Sequence, residues 1–293
     1  MDHSKPPPII GILSAAVCAG LVAACAGGPS PATVAAPTTG TGPTTSFAYG
    51  VPSPPTALFH IEDSLVVEVS TAAADFEVTT KTLLTMNMVF ARDPAGVGVV
   101  GSVVGFNVVS TNALAGTRVA GADQISGPLA MVVSRQGHVE VGAMPALDSA
   151  VADLTPFPGI AFDMFPRLPG YPVGLGGMWV DTVGWSVTDE TSESATQTVF
   201  TYTIVGDTLV DGRTLLNIAV EGEVSMQMIE GVGDALSDQR LTGTATGYVL
   251  WDPEQNLPKH SAMHRQLEGT NQVPGAGTIR MRIGGVVRVL AAY

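Results

Sequence analysis

Between residues 76 and 90 the side chains alternate. Phe76, Val78, Leu84, Met86, Met88 and Phe90 share one parity, while Glu77, Thr79, Lys81, Thr85 and Asn87 take the other. A period of two puts one side of an extended strand in a core and the other in water. At ~3.3 Å per residue this strand is ~50 Å long. Ordinary strands have about five or six residues, so such a length calls for a large antiparallel sheet with equally long neighbours. Helical periodicity is scarce, and Pro145–Leu154 is the best short candidate.

The alternation recurs on both sides of a central interruption. Leu65, Val67 and Val69 precede the long strand. The turn signal Asp93-Pro94-Ala95-Gly96 leads to Val97–Ser110 and then Ile125–Ser134, and Gln136-Gly137 leads into Val139–Ala143. In the second half Phe200, Tyr202 and Ile204 alternate with threonines, and Asp211-Gly212 is a hairpin signal. Leu216, Ile218, Val220, Val224, Met226 and Met228 then hold one parity. Leu241–Trp251, a turn at Asp252-Pro253, Leu257–Leu267 and closing strands over Ile279–Tyr293 follow. Turns at 93 and 211, and at 136 and 254, share an offset of 118. The expected fold is mainly β: a large curved antiparallel sheet or half-open barrel from two similar β halves, about 58–145 and 178–293, with few short helices.

Between the halves, 153–185 holds Phe157, Phe162, Phe165, Tyr171, Trp179 and Trp185, six of the 17 aromatics, among Pro156, Pro158, Pro166, Pro169 and Pro172. Proline excludes a long helix or a central strand here. The connector, 153–177, is expected to be an irregular apolar segment that plugs the open side or end of the sheet, or lines and covers an apolar ligand.

The N-terminus carries an address. Ile9–Ala24 is an apolar run too short for a comfortable membrane span, and it closes as Leu21-Val22-Ala23-Ala24-Cys25. This resembles the lipobox of bacterial lipoproteins, with an aliphatic residue and small ones before the cysteine that signal peptidase II exposes. The chain has two cysteines, Cys18 and Cys25, so an exported domain without a disulfide has no structural use for Cys25. The resemblance implies a signal peptide over 1–24, acylation at Cys25 and a membrane as partner through those acyl chains. Ala26, a residue other than Asp after the cysteine, implies sorting to the outer membrane where a bacterium has two. Residues 26–55 are nearly all Ala, Gly, Pro, Ser and Thr without a charge. They are expected to be a disordered tether to a domain spanning 56–293.

Composition and motifs narrow the activity. With 13 basic and 26 acidic residues the net charge is −13, which argues against nucleic acid. No run of 18 apolar residues follows the first 25 positions, which excludes a helical membrane bundle. Gly96-x-Gly98-x-x-Gly101 spells a dinucleotide fingerprint, but the β-branched run after it reads as strand, leaving no helix N-terminus for a pyrophosphate. His260 and His264 are four apart, ~13 Å along a strand, too far to share an ion; His60 and His138 stand alone. No catalytic motif is present, and no cofactor or metal is expected.

Low charge, a long leash and long strands resemble the exported carrier lipoproteins of the LolA-like and LppX-like group. Their half-open antiparallel sheet curls around an apolar cavity, with helices or loops over its mouth. The resemblance, in architecture over roughly 58–293, implies non-catalytic binding of an apolar or amphipathic envelope ligand. The lining would be Met86, Met88, Phe90, Phe162, Phe165, Trp179, Met226 and Met228. One alternative is an envelope scaffold or protein-interaction module without ligand. Another is an outer-membrane β-barrel component, because Val287, Val289, Ala291 and Tyr293 are similar to the terminal assembly signal of such barrels.

Overall fold

The structure is a computed structural model, and it describes residues 36–71, 74–151, 154, 163–188, 192–231, 236–275 and 277–293. Its strands are β1 (Thr41–Thr45), β2 (Thr56–Ser70), β3 (Asp75–Asp93), β4 (Gly96–Asn112), β5 (Gly116–Gly121), β6 (Ile125–Ser126), β7 (Leu129–Val133) and β8 (Val139–Ala143) in the first half. Then come β9 (Ala146–Leu147), β10 (Val173–Leu175), β11 (Met178–Thr188), β12 (Ser192–Val210), β13 (Arg213–Glu230), β14 (Ser237–Asp252), β15 (Leu257–Val273) and β16 (Gly277–Ala292). Twelve of them form one antiparallel sheet that does not close into a barrel. Its order is β11-β12-β13-β14-β15-β16-β2-β3-β4-β7-β8, with β5 added beside β4. The expected mainly β, curved antiparallel sheet is what the chain forms.

Two meanders, β2-β3-β4-β7-β8 and β11-β12-β13-β14-β15, run in the same direction along the sheet, and β16 joins them by pairing with β15 and β2. The four signalled turns are the β3–β4, β7–β8, β12–β13 and β14–β15 connections, and all lie at one end of the sheet, here the proximal end. The β7–β8 hairpin is much shorter than its counterpart, with five residues per strand against 16 and 17.

Local chemistry explains the shape. Asp211 and Gly212 both have positive φ, 50° and 77°, as a two-residue turn matched to strand twist requires. Register shifts at Thr85/Met86 and Ile204/Gly206 leave Val104 and Val205 unpaired; such bulges bend a strand and add twist. Between β14 and β15 the backbones approach so closely that a Cβ on Gly243 or Gly247 would collide with the carbonyl oxygen of Gln266 or Ala262. The sheet curls until β2–β4 and β7 share one core with β11–β14. Phe59, Met88, Val99, Trp179, Ile218 and Trp251 belong to it. A second cluster of Val69, Leu241, Val273, Ile279 and Met281 lies toward the distal end.

Two expectations are corrected. The tether does not extend to residue 55: β1 pairs with β10, Thr38 exchanges two 2.9 Å backbone hydrogen bonds with Met178, and Phe47 and Tyr49 are buried in the main core. Bulky rings within a small-residue segment have enough apolar area to offset its ordering. Pro145–Leu154 is not a helix over its length; Ala146–Leu147 pairs with β6, and Val151 donates its N–H to the Asp148 oxygen in a turn. A third expectation stands: Gly96–Asn112 is strand throughout, as its β-branched run implies, so the glycine fingerprint opens no helix.

Candidate functional site

At the proximal end, rings from several elements meet on the inner face. Trp179, early in β11, stacks on Tyr202 of β12 with centroids 5.2 Å apart and planes 9° from parallel. Phe47 packs against Trp179 and Trp251 at 5.9 and 6.0 Å. Tyr49 meets Trp251 and Phe165 edge-on at 5.1 and 5.6 Å, and Phe59 lies 6.1 Å from Phe165. Burial pushes the phenols of Tyr49 and Tyr202 well up from their ordinary value, so both stay neutral hydrogen-bonding groups.

Residues 163–168 form a strap over this region. Met164, Phe165 and Leu168 are buried. The Tyr49 hydroxyl donates to the Pro166 oxygen at 2.8 Å, and the Leu168 N–H donates to Gln136 at 2.9 Å. The Arg167 guanidinium donates to the Gly137 oxygen at 2.5 Å and lies 3.6 Å from Asp181. Trp179 Nε1–H donates to the Arg167 oxygen at 3.1 Å. The strap therefore joins the β7–β8 hairpin at one side of the sheet to β11 at the other. Gly137, at φ 84°, leaves room for it: a Cβ there would stand 2.5 Å from the Pro166 oxygen.

A charged group interrupts the apolar inner face beside the strap. On β2 the parity that buries Phe59 and Ile61 continues through Asp63, and on β15 Arg265 pairs with Ala245, which is fully buried. Arg265 forms an ion pair with Asp163 of the strap. Burial pushes the Asp63 carboxyl up to about 6; Arg265 opposes the rise and Asp163 adds to it. Burial likewise raises Asp163, against the pull of Arg265. One carboxylate thus pairs with the guanidinium and a second lies within its electrostatic reach, on a surface that is otherwise apolar nearby.

The structure brings Met86, Met88, Phe90, Phe165 and Trp179 into the main core. Met86 and Met88 lie across Gly101 of β4, where a Cβ would stand 2.5 Å from the Met88 sulfur. Met226 packs against the distal cluster instead. Met228 is buried but belongs to neither cluster, so the methionines of the two halves do not form one surface. Phe162 lies outside the described residues, as does the Cys25 lipidation site. Sequence reasoning missed Asp63, Asp163, Arg167 and Arg265. For Asp63 and Arg265 a signal existed: each is a charge in an inward slot, between Ile61 and Leu65 or between Met263 and Leu267.

The outer face is polar along the middle of the sheet, with Lys81–Glu62 at 3.0 Å and Arg288–Glu62 at 3.6 Å. Apolar inside and charged outside is the reverse of a membrane barrel, and the open edges add to that. The Tyr293 hydroxyl donates to buried Asp252 at 3.1 Å.

The chain matches no family model and no curated protein sequence. Among solved structures it is similar to the beta domain of the Bordetella autotransporter BrkA, at 9% identity and TM-score 0.22, over 81% of this chain and 100% of that one. It is similar to Pseudomonas aeruginosa OccK7 (OpdD), at 8% identity and TM-score 0.23, over 81% and 99%. A DUF1329 family protein from Desulfovibrio piger overlaps at 10% identity and TM-score 0.16, over 78% and 83%. Overlap at this level falls short of a common fold, and what these proteins do is not transferable to this chain.

Proposed function

We propose that the chain is a lipoprotein of the bacterial cell envelope, acylated at Cys25, and that its curled sheet holds an amphipathic ligand along the inner face. The observation that carries this reading is the charged trio of Asp63, Asp163 and Arg265 on that face. Burying charge lowers stability unless something offsets it, and perturbed carboxyls gather at working sites. The apolar part of the ligand lies against the main core beneath the strap, and its polar end meets Arg265. The strap is the cover, and its ion pair with Arg265 is the contact that a competing anionic group displaces.

The test is native mass spectrometry with lipid extraction on residues 36–293, exported without the anchor. A stoichiometric co-purifying lipid, lost in Arg265→Met, is the expected result. A clean apo mass with an intact circular-dichroism spectrum overturns ligand binding. It moves the reading to an envelope interaction module, which the close packing of Met86, Met88, Phe165 and Trp179 against the chain itself favours.

A further inference from the structure

The chain enters the fold nearer the proximal than the distal end, and the proximal end carries exposed apolar side chains. Thr38 is held to Met178 by two 2.9 Å hydrogen bonds, Gly174 donates to the Thr39 oxygen at 2.8 Å, and Thr41 pairs with Leu175. Residues 38–45 are therefore part of the folded body rather than leash. Thirteen residue steps separate Thr38 from Cys25, a reach of at most about 45 Å. Thr38 lies opposite Met178, which pairs with Thr203, so seven residues of β12 (~23 Å) separate this level from the proximal tip and eleven (~36 Å) from the distal end. A chain anchored at Cys25 thus brings its proximal end to the bilayer with the lesser extension of the leash.

At this end Leu175, Val205 and Leu209 are 54%, 51% and 73% exposed. Gly176 donates to the Ile204 oxygen at 2.8 Å, which sets Leu175 beside Val205. Leu209 lies four residues further along β12, ~13 Å toward the hairpin tip. Charge does not oppose an approach to lipid here. Arg92, Arg135, Arg213 and Lys259 nearly offset Asp93, Asp207, Asp211, Asp252 and Glu254, whereas the chain as a whole is strongly acidic.

From the reach of the leash, the place where it joins the fold and the apolar side chains beside that junction, we infer that Leu175, Val205 and Leu209 dock on the lipid surface to which Cys25 tethers the chain. The inference rests on the lipoprotein reading and goes beyond it. The β10–β12 corner lies in the headgroup layer, and the proximal end with its strap faces the membrane instead of standing clear of it. Three small apolar groups give a weak, reversible contact that the covalent acyl chains make effective by keeping it local.

The test uses the full acylated chain in phosphatidylethanolamine/phosphatidylglycerol vesicles. After signal removal and acylation no free thiol remains, so Leu209→Cys, Leu175→Cys and, as a distal control, Leu114→Cys each accept one environment-sensitive fluorophore; Leu114 is 61% exposed in the β4–β5 turn. The expected result is a blue shift at 209 and 175, with quenching by headgroup-level nitroxide lipids, and neither at 114. Leu209→Asp should abolish the quenching at 175. Vesicle-bound protein with three indistinguishable probes overturns docking and leaves the anchor standing. Blue shifts that depend on protein density but resist lipid quenching overturn it in favour of contact between copies. Protein that fails to co-sediment, with a second reactive thiol by mass, overturns the anchor and the docking together.

Discussion

Trp179 Nε1–H donates to the main-chain oxygen of Arg167, and the guanidinium of Arg167 donates to Gly137. One residue of the strap is thereby bonded to β11 and to the β7–β8 hairpin, from opposite sides of the sheet. The curl of the open sheet is held by hydrogen bonds as well as by packing, where a barrel would use a strand ladder.

Arg167→Met should remove the Gly137 and Asp181 contacts while keeping an apolar stem. A destabilisation of about 1–3 kcal/mol is expected in urea unfolding, with a change in Trp179 emission in the folded state. An unchanged midpoint and spectrum would mean that packing alone holds the strap.

Asp63 makes stability depend on pH. Its folded pKa of about 6 lies above the ordinary 3.8, so the folded chain binds the proton more tightly than the unfolded one. The stabilisation is full below about pH 4, declines as pH rises to about 6 and is constant above. Asp63→Asn should flatten that decline and stabilise the protein at pH 7 by up to about 3 kcal/mol, with little effect at pH 3.5. Asp163, raised in the same direction, leaves a residual slope. Chemical denaturation from pH 3.5 to 8 measures both.

Two glycines offer opposite outcomes. Gly247→Ala drives a Cβ into the Ala262 carbonyl and should cost about 3 kcal/mol or more. Gly284→Ala meets nothing within 4 Å and should be neutral or stabilising by up to about 1 kcal/mol. Thermal melts of the pair compare a steric need for glycine with an incidental one.

Phe47→Ala should cost about 3 kcal/mol, as for a buried ring, since Phe47 touches both Trp179 and Trp251. A residue in a free tether would give no change in the unfolding midpoint.

Cys25→Ala should abolish incorporation of labelled palmitate into the protein in growing cells, the direct readout of acylation at that thiol.

Much of the sheet was legible because its strands obey one rule over many residues. Val139–Ala143 forms β8 as read, and Asp211-Gly212 makes its hairpin. Strand β11 was hidden because Trp179 and Val183 on one parity face Met178 and Val180 on the other, so no period stands out. Phe47 and Tyr49 were masked by surroundings of small residues. The bulges at Val104 and Val205 shift parity without any change in composition. The strap was expected, from its prolines and aromatics, to plug or cover the sheet, but its partners could not be placed: Arg167 finds Gly137 thirty positions away and Asp163 finds Arg265 across about a hundred. Contacts of that range come from how far a sheet curls, which no local pattern encodes.

The pairing of β16 with β2, Ala292 opposite Leu58 and Arg280 opposite Ser70, sets a schedule for assembly. Each meander can zip up as it leaves a ribosome or a translocation channel, yet the seam between them waits for the last strand. Until then both halves present a long unpaired edge at the future middle of the sheet, where pairing with another chain is easiest. A cell making this protein must shield the β2 edge for the time taken to deliver some two hundred residues, and truncation within β16 would leave both edges open for good.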